Sequence, residues 1–252
     1  MNRLVPQETA LQVLQKLLAE GYDLRYQPDK HRTTVLDPAG NELLHFRLPL
    51  LLPPPSMLGQ VTRWDMHYII LLIQSGSCAV GYFENGQNLD HKVFRSYMVR
   101  KKQGKSQVKY LKTKGKSRAG SRVRLGETQE FFENINERLQ EYFEEHEIHR
   151  IAMSCSKILI PYLFDSKVAT PFNKKDERLL KIPKHIHTPI YEVLLNTHKF
   201  LLKGELIYDV SQQPLIDSLL PPPETAASDT DWEFEEEEAE YENDEEFEDE
   251  EE

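Results

Sequence analysis

The chain has 252 residues, and its 42 acidic and 31 basic residues give a formal net charge of −11. The charge is uneven: eighteen acidic residues and no basic residue fall in positions 224–252, so positions 1–223 carry 24 acidic and 31 basic residues and a net charge of +7. With 39% hydrophobic residues and no apolar run long enough for a bilayer, this composition excludes a membrane-spanning protein and favours a soluble, basic body with an acidic tail.

The first 55 residues are predicted to form a small α+β module. Leucines at positions 11, 14, 17 and 18 fit one face of a helix that Gly21 ends. Residues 33–36 and 43–46 flank the turn residues 37–41, which predicts a hairpin. The three prolines at 53–55 close this module. The amphipathic amino terminus lacks the apolar core of a secretory signal, which predicts a cytoplasmic protein.

The next part of the chain has the pattern of an antiparallel meander. Residues 68–73, 78–83 and 93–99 are rich in β-branched and aromatic side chains. The link between the second and third runs contains Asn85-Gly86, a pair that tolerates the positive φ angles of a tight turn. The segment after the third run contains several glycines and few large apolar residues, which predicts an exposed, mobile loop.

The remainder of the body alternates helix and strand. Apolar residues at helical spacing predict a helix over 128–145, and short apolar runs predict strands at 151–153, 179–182 and 206–208. Thr188-Pro189 indicates the start of a further helix, which Gly204 is placed to end. We therefore expect an α/β domain over 60–210, with a mixed sheet and flanking helices. Beyond three prolines, residues 221–252 are expected to be a disordered acidic tail.

A basic segment, residues 95–124, lies at the centre of the functional prediction because it contains twelve Lys or Arg residues and no Asp or Glu. Concentrating so much positive charge is costly unless a polyanion neutralises it, and nucleic-acid phosphates are the commonest such partner. The candidate RNA-binding residues are Arg95, Arg100, Lys101, Lys102, Lys105, Lys109, Lys112, Lys114, Lys116, Arg118, Arg122 and Arg124.

Other chemistries find little support in the sequence. Gly-Lys-Ser occurs at 104–106 and 115–117, but the first glycine of a P-loop is replaced by Val99 and Tyr110. The histidine pairs, His146 with His149 and His185 with His187, lack the spacing of zinc ligands. Cys78 and Cys155 are expected to be buried, reduced thiols. We expect neither a metal nor a cofactor.

Within the basic segment, Gly104 to Gln107 could carry chemistry. A glutamine amide is a poor base, but it can orient a water molecule while nearby backbone N–H groups stabilise an oxyanion. Such a loop, flanked by lysines, would suit attack on an ester attached to RNA. Taken from the residues alone, a generic RNA-contacting loop in which Gln107 is incidental remains the simpler interpretation.

The stretch YMVRKKQGKSQ, followed by KSRAGSRVR and a long amphipathic helix, resembles the Vms-like release factors. These are relatives of the middle domain of eukaryotic and archaeal class I peptide-chain release factors, and they use a G-x-x-Q loop in place of GGQ. The resemblance includes the strand before the loop, residues 100–102, Gly104, Gln107 and the Ser-x-Ala-Gly element at 117–120, and extends over about residues 60–210.

The resemblance implies a peptidyl-tRNA hydrolase that acts in ribosome rescue or quality control. Gln107 would position water in the peptidyl-transferase centre, and Gly104 would permit the tight entry to the loop. Lys105 and Ser106 replace the two glycines that precede the glutamine in GGQ, so arguments from adjacent glycines do not transfer.

The implied partners are the rRNA of the large ribosomal subunit and peptidyl-tRNA, with no role for DNA or membranes, and the protein is expected to be monomeric. Two alternatives remain open. One is cleavage of the tRNA near its 3′ CCA end, which would free a peptide that still carries nucleotides. The other is a non-catalytic factor that binds the ribosome or tRNA and occupies the tRNA site.

Overall fold

A computed structural model describes residues 1–58, 65–96 and 117–221, with the backbone alone described for 117–125. Within these residues two five-stranded sheets, which we call sheet A and sheet B, form the framework of a mixed α/β fold. The expected fold class is thereby confirmed. The helices are α1 (Gln7–Ala19), α2 (Ser117–Glu145), α3 (Ile160–Phe164), α4 (Tyr191–Leu201) and α5 (Gln213–Leu219).

Sheet A is antiparallel and has the strand order β1-β10-β4-β3-β2. Helix α1 packs against it through Ala10, Val13, Leu14 and Leu17, which are fully buried and recur at the helical period. The strands are β1 (Asn2–Val5), β2 (Asp23–Gln27), β3 (Arg32–Leu36), β4 (Glu42–Arg47) and β10 (Gly204–Tyr208).

Sheet B is mixed and has the order β7-β6-β5-β8-β9. The meander β5-β6-β7 is antiparallel, whereas β8 lies parallel to β5, and β9 lies parallel to β8. The strands are β5 (His67–Gln74), β6 (Ser77–Glu84), β7 (Gln87–Arg95), β8 (Arg150–Cys155) and β9 (Leu179–Lys181).

Both faces of sheet B are covered, which explains why β5 reads as a continuous apolar run. Side chains of a strand point alternately to the two faces. Ile69, Leu71 and Ile73 pack in one cluster with the aromatic residues of α2. Tyr68, Ile70 and Leu72 pack on the other face with residues of α4. The core around sheet B therefore lies in two layers, one on each face of the sheet.

Most elements predicted from the sequence are present, with corrections to their bounds. The third meander strand begins at Gln87 rather than Val93, because Asn85 and Gly86 adopt φ angles of 50° and 88° and form a two-residue turn. The long helix begins at Ser117, so residues 117–124 are helical rather than part of the predicted loop.

Two further corrections concern α4. Its first residue is Tyr191 and its cap is Ile190, so Thr188-Pro189 precedes the helix without capping it. The helix ends at Leu201, before Gly204, which is instead the first residue of β10. Neither β1 nor β2 was predicted from the sequence.

Strand β10 belongs to sheet A, where it pairs with β1 and β4. The carboxyl-terminal end of the body therefore completes the sheet that the amino-terminal hairpin begins. The division of the chain into 1–55, 60–210 and 221–252 stays a prediction, and the acidic tail from residue 222 lies outside the described residues.

Candidate functional site at the root of the basic segment

The start of the basic segment is joined to helix α2 at one end of sheet B, where β5 ends and β6 begins. Strand β7 ends at Arg95, opposite Ser77 in β6. The backbone N–H of the next residue, Ser96, donates to the carbonyl oxygen of Gly76 at 2.9 Å, and its hydroxyl donates to the carbonyl oxygen of Glu127 at 3.2 Å. Ser96 and Glu127 are 31 positions apart in the sequence. We call this end of sheet B the root of the basic segment.

Helix α2, which forms one side of the root, is fixed to the rest of the fold by buried side chains and hydrogen bonds. Its buried residues occupy one face and pack on sheet B, and they are Phe131, Phe132, Ile135, Leu139 and Tyr142. The helix also contains a buried amide, because Asn136 donates through Nδ2 to the carbonyl oxygens of Leu163 and Val168, each at 2.8 Å. Burial of several aromatic side chains and these hydrogen bonds fix the direction in which α2 leaves the root.

A polar groove lies beside the root. It has a volume of 350 Å³, and it brings a cation from the end of β7 together with two carboxylates from α2. The lining residues are Phe94, Arg95, Ser96, Glu127, Glu130, Phe131 and Asn134. Because the walls are polar and carry both signs of charge, the groove is suited to hydrogen-bonded, hydrated contacts rather than to an apolar ligand.

The segment between β9 and α4 is fastened to the same end of sheet B. Gln74, at the end of β5, donates through Nε2 to the carbonyl oxygen of Ile186 at 2.6 Å, and the hydroxyl of Ser77 donates to the carbonyl oxygen of Pro189 at 2.9 Å. The exposed rings of His185 and His187 flank the anchored residue Ile186, with their centroids 4.4 Å apart. A second part of the chain is therefore held by hydrogen bonds at this end of sheet B.

The groups that titrate abnormally are not suited to nucleophilic chemistry. Burial raises the pKa of the Cys155 thiol to about 12 and raises that of Cys78 well above its usual value, so both thiols stay protonated at neutral pH. Both are free, as expected, although Cys155 is only partly buried. Burial also lowers the pKa of His198 to about 4, and its Nε2 lies 2.7 Å from the Tyr68 hydroxyl under α4, away from the root.

Most residues predicted for the site lie outside the described residues. These are Gly104 and Gln107, together with Arg100, Lys101, Lys102, Lys105, Lys109, Lys112, Lys114 and Lys116. Of the remaining cations, Arg95 is exposed at the end of β7, and the backbone of Arg118, Arg122 and Arg124 lies in the first turns of α2. Their roles stay predictions.

The hydrogen bond between Ser96 and Glu127 was missed by reasoning from the sequence. Neither residue belongs to a recognisable sequence motif, and only the approach of β7 to α2 brings them together.

Among the described residues, no helix is both long and apolar enough to cross a membrane.

Comparison with known proteins places these features in a family. The sequence profile described as "Bacteroidetes VLRF1 release factor" matches residues 68–208. No curated protein sequence matches. Among solved structures, the "Vms1 mitochondrial localization core" is similar at 14% identity and a TM-score of 0.40, with 83% of this chain and 86% of that chain covered.

Proposed function

Because the chain belongs to the Bacteroidetes VLRF1 release factor family, we propose that it acts at the ribosome by hydrolysing the ester between a nascent peptide and tRNA. The observation that carries this proposal is the extent of the family match, since residues 68–208 include the whole basic segment, strand β7 before it, and helix α2. Rescue or quality control of stalled translation is the setting, and a cytoplasmic location follows from it.

In this proposal the basic segment delivers Gln107 to the peptidyl-tRNA. Twelve cations without an acidic residue would counter the phosphates of rRNA and of the tRNA acceptor end. The amide of Gln107 would orient a water molecule toward the ester carbonyl, and backbone N–H groups would stabilise the oxyanion as it forms. Gly104 supplies the conformational freedom that a tight loop needs. No cofactor is required for this step.

The root geometry supports such a delivery. An arm that must place one amide accurately needs a fixed base, because a displacement of about 1 Å at the reacting atoms can cost about 100-fold in rate. Ser96 and Glu127 provide a fixed connection 3.2 Å long between β7 and α2. The aromatic residues of α2 then fix that connection to sheet B.

A release assay tests the proposal. Purified protein is added to large ribosomal subunits that carry peptidyl-tRNA, and liberated peptide is measured over time. Wild type should release peptide, and Gln107→Ala should abolish release while ribosome binding is retained. Gln103→Ala is the matched control, because this glutamine precedes Gly104 in the same segment and should be dispensable. Release by Gln107→Ala at the wild-type rate would contradict the assignment.

The product also separates hydrolysis from cleavage of the tRNA. Mass analysis of the peptide should show a free carboxyl terminus and intact tRNA. A peptide that carries 3′ nucleotides would instead identify a nuclease. Salt-sensitive binding with no release of peptide under any condition would identify a factor that occupies the tRNA site without chemistry.

A further inference from the structure

A second cluster of polar side chains lies in sheet B at the opposite end of strands β5 and β6 from the root. His67 begins β5 and Glu84 ends β6, and the two residues are directly paired. Paired residues in an antiparallel sheet point to the same face, so both share the face of Ile69 and Tyr82, which α2 covers. The length of β5 separates this cluster from the root by roughly 23 Å, at about 3.3 Å per residue.

Three potential ligand atoms converge at this end. Asp65, His67 and Glu84 each offer one donor atom, and these atoms all lie within 4.8 Å of one another. The Nε2 atom of His67 is 3.9 Å from a carboxylate oxygen of Asp65. The other carboxylate oxygen of Asp65 accepts from the Asn85 amide at 2.5 Å, and Asn85 Oδ1 accepts from the backbone N–H of Met66 at 2.9 Å. The turn at Asn85 thus orients Asp65.

The imidazole of His67 is held in the orientation that a ligand needs. Its Nδ1 atom is 2.6 Å from the hydroxyl of Tyr82, whose ring is almost fully buried. With the proton on Nδ1, the imidazole donates to this hydroxyl and leaves the Nε2 lone pair directed toward the carboxylates. Metal-binding histidines are commonly oriented by a partner of this kind at the second ring nitrogen.

The end of α2 adds negative charge to the same place. Its last turn contains no basic residue and ends with Glu144 and Glu145, although the carbonyl end of a helix favours cations. The next residue, His146, stacks on the Tyr82 ring with centroids 4.0 Å apart and lies 6.4 Å from the His67 ring. Helix α2 therefore directs its negative end toward a cluster that already contains two carboxylates, an arrangement that a bound cation would stabilise.

From these contacts we infer that Asp65, His67 and Glu84 bind a divalent transition-metal cation of the Zn²⁺ type. One imidazole with two carboxylates favours such ions over Mg²⁺, which prefers oxygen ligands and keeps its waters. With bonds of about 2.1 Å, tetrahedral ligand atoms are roughly 3.4 Å apart, so these ligand atoms, which lie within 4.8 Å of one another, need to approach by little more than about 1 Å.

The three residues leave the fourth position of a tetrahedral site to water, because His149 is held in a tautomer that does not bind metal through Nε2. His149 is the nearest further imidazole, with its ring centroid 5.5 Å from that of His67. Its Nδ1 accepts from the backbone N–H of His67 at 3.1 Å, which keeps the proton of the neutral ring on Nε2. His149 therefore cannot become a ligand through Nε2 without losing this hydrogen bond.

Zinc titration of the purified, tag-free chain tests the inference without ribosomes, so its outcome is independent of the proposed function. Calorimetry should show one equivalent of Zn²⁺ bound. Asp65→Asn and Glu84→Gln each remove one negative ligand and keep the side-chain shape, and each should weaken binding at least about tenfold. Tyr82→Phe removes only the hydroxyl that orients His67, and it should weaken binding by about 10–100-fold.

The double variant His185→Ala/His187→Ala is the control for zinc binding to exposed histidines elsewhere. It should bind Zn²⁺ as wild type does, and Mg²⁺ at the same concentration should not compete. The inference is overturned if wild type binds no Zn²⁺, if the control loses binding, or if Tyr82→Phe and Glu84→Gln leave the affinity unchanged. Circular dichroism and the melting temperature of each variant distinguish loss of a ligand from loss of the fold.

Discussion

The guanidinium of Arg150 lies 2.9 Å from the Nε2 atom of His31, and both side chains are buried where β8 of sheet B meets the turn before β3 of sheet A. Arg150 also donates to the carbonyl oxygens of Leu50 and Leu52, and Nδ1 of His31 lies 2.6 Å from the Tyr26 hydroxyl. In the described part of the chain, these partners are carbonyls and an imidazole rather than carboxylates. Burial lowers the pKa of Arg150 to about 10, so it remains charged at neutral pH.

Arg150→Met should therefore destabilise the protein by about 2–4 kcal/mol, because two buried carbonyl groups lose their donors at about 1–3 kcal/mol each. Urea unfolding monitored by circular dichroism measures the change. Arg3→Met is the matched control, since Arg3 and Asp217 form an exposed pair at 3.8 Å, and should cost less than about 1 kcal/mol. If the two variants lose the same free energy of unfolding, the buried hydrogen bonds of Arg150 contribute no more to stability than an exposed ion pair.

Acidification should destabilise the fold through its buried neutral histidines. Burial, and then the charge of Arg150, lower the pKa of His31 well below its usual value, and burial lowers the pKa of His198 to about 4. Below pH 6.5 the unfolded chain takes up protons that the folded chain does not, so the free energy of unfolding falls as the pH falls from about 6.5 toward 4. More than about one pH unit above 6.5, both imidazoles are neutral in the folded and in the unfolded chain, so these groups contribute no slope.

The slope in that range should be about 1.4 kcal/mol per pH unit for each histidine at most. His198→Gln keeps a group that can bond to the Tyr68 hydroxyl but cannot titrate, and it should flatten the slope between pH 6.5 and 4.5. Urea midpoints at several pH values measure this. If the variant and wild type have parallel curves, His198 does not contribute to the acid sensitivity.

Gly204 is required for close packing. A Cβ atom at this position would lie 3.0 Å from the Ala10 Cβ and from the Phe46 ring, and 3.1 Å from Val5. Gly204→Ala should therefore cost about 1–3 kcal/mol through overpacking between α1 and sheet A. In contrast, a Cβ at Gly126 in α2 meets nothing within 4 Å, so Gly126→Ala should stabilise the helix by about 0.5–1 kcal/mol. Thermal denaturation distinguishes the two signs.

The prediction for Gly204 also shows where reasoning from the sequence stops. A glycine after an amphipathic run indicates a helix end. Whether it caps the helix or instead lets another element pack closely against its backbone depends on residues that are distant in the chain. The hairpin at 37–41 was predictable because the Asp37 carboxylate accepts from the backbone N–H groups of Ala39 and Asn41, each at 2.8 Å, within five residues. Turns formed by neighbouring residues can be predicted from the sequence, whereas packing between residues distant in the chain cannot.

The same distinction applies to strands and sites. Strand β1 has four residues and is ordered by pairing with β10, which lies some two hundred positions later in the chain, so no local pattern reveals it. The charge of the basic segment is a compositional feature and was visible at once. The cluster of Asp65, His67 and Glu84 depends on the register between β5 and β6, and the sequence shows only two of its members near each other.

Binding to ribosomes should depend on salt in a way that identifies the basic segment. Each phosphate that a Lys or Arg neutralises adds roughly 0.7–0.9 to the slope of log affinity against log salt concentration. The double variant Lys101→Ala/Lys102→Ala should therefore reduce this slope by about 1–2 and weaken binding most at low salt. Binding to large ribosomal subunits is measured by cosedimentation over a series of salt concentrations.

The matched control replaces two adjacent lysines outside the basic segment. Lys174 and Lys175 are exposed, and the ammonium group of Lys174 is 3.4 Å from the Asp165 carboxylate, so part of its charge is already neutralised within the protein. Lys174→Ala/Lys175→Ala should leave the slope near that of wild type. If both double variants reduce the slope equally, binding reflects the total charge of the protein, and the basic segment has no special place at the ribosome.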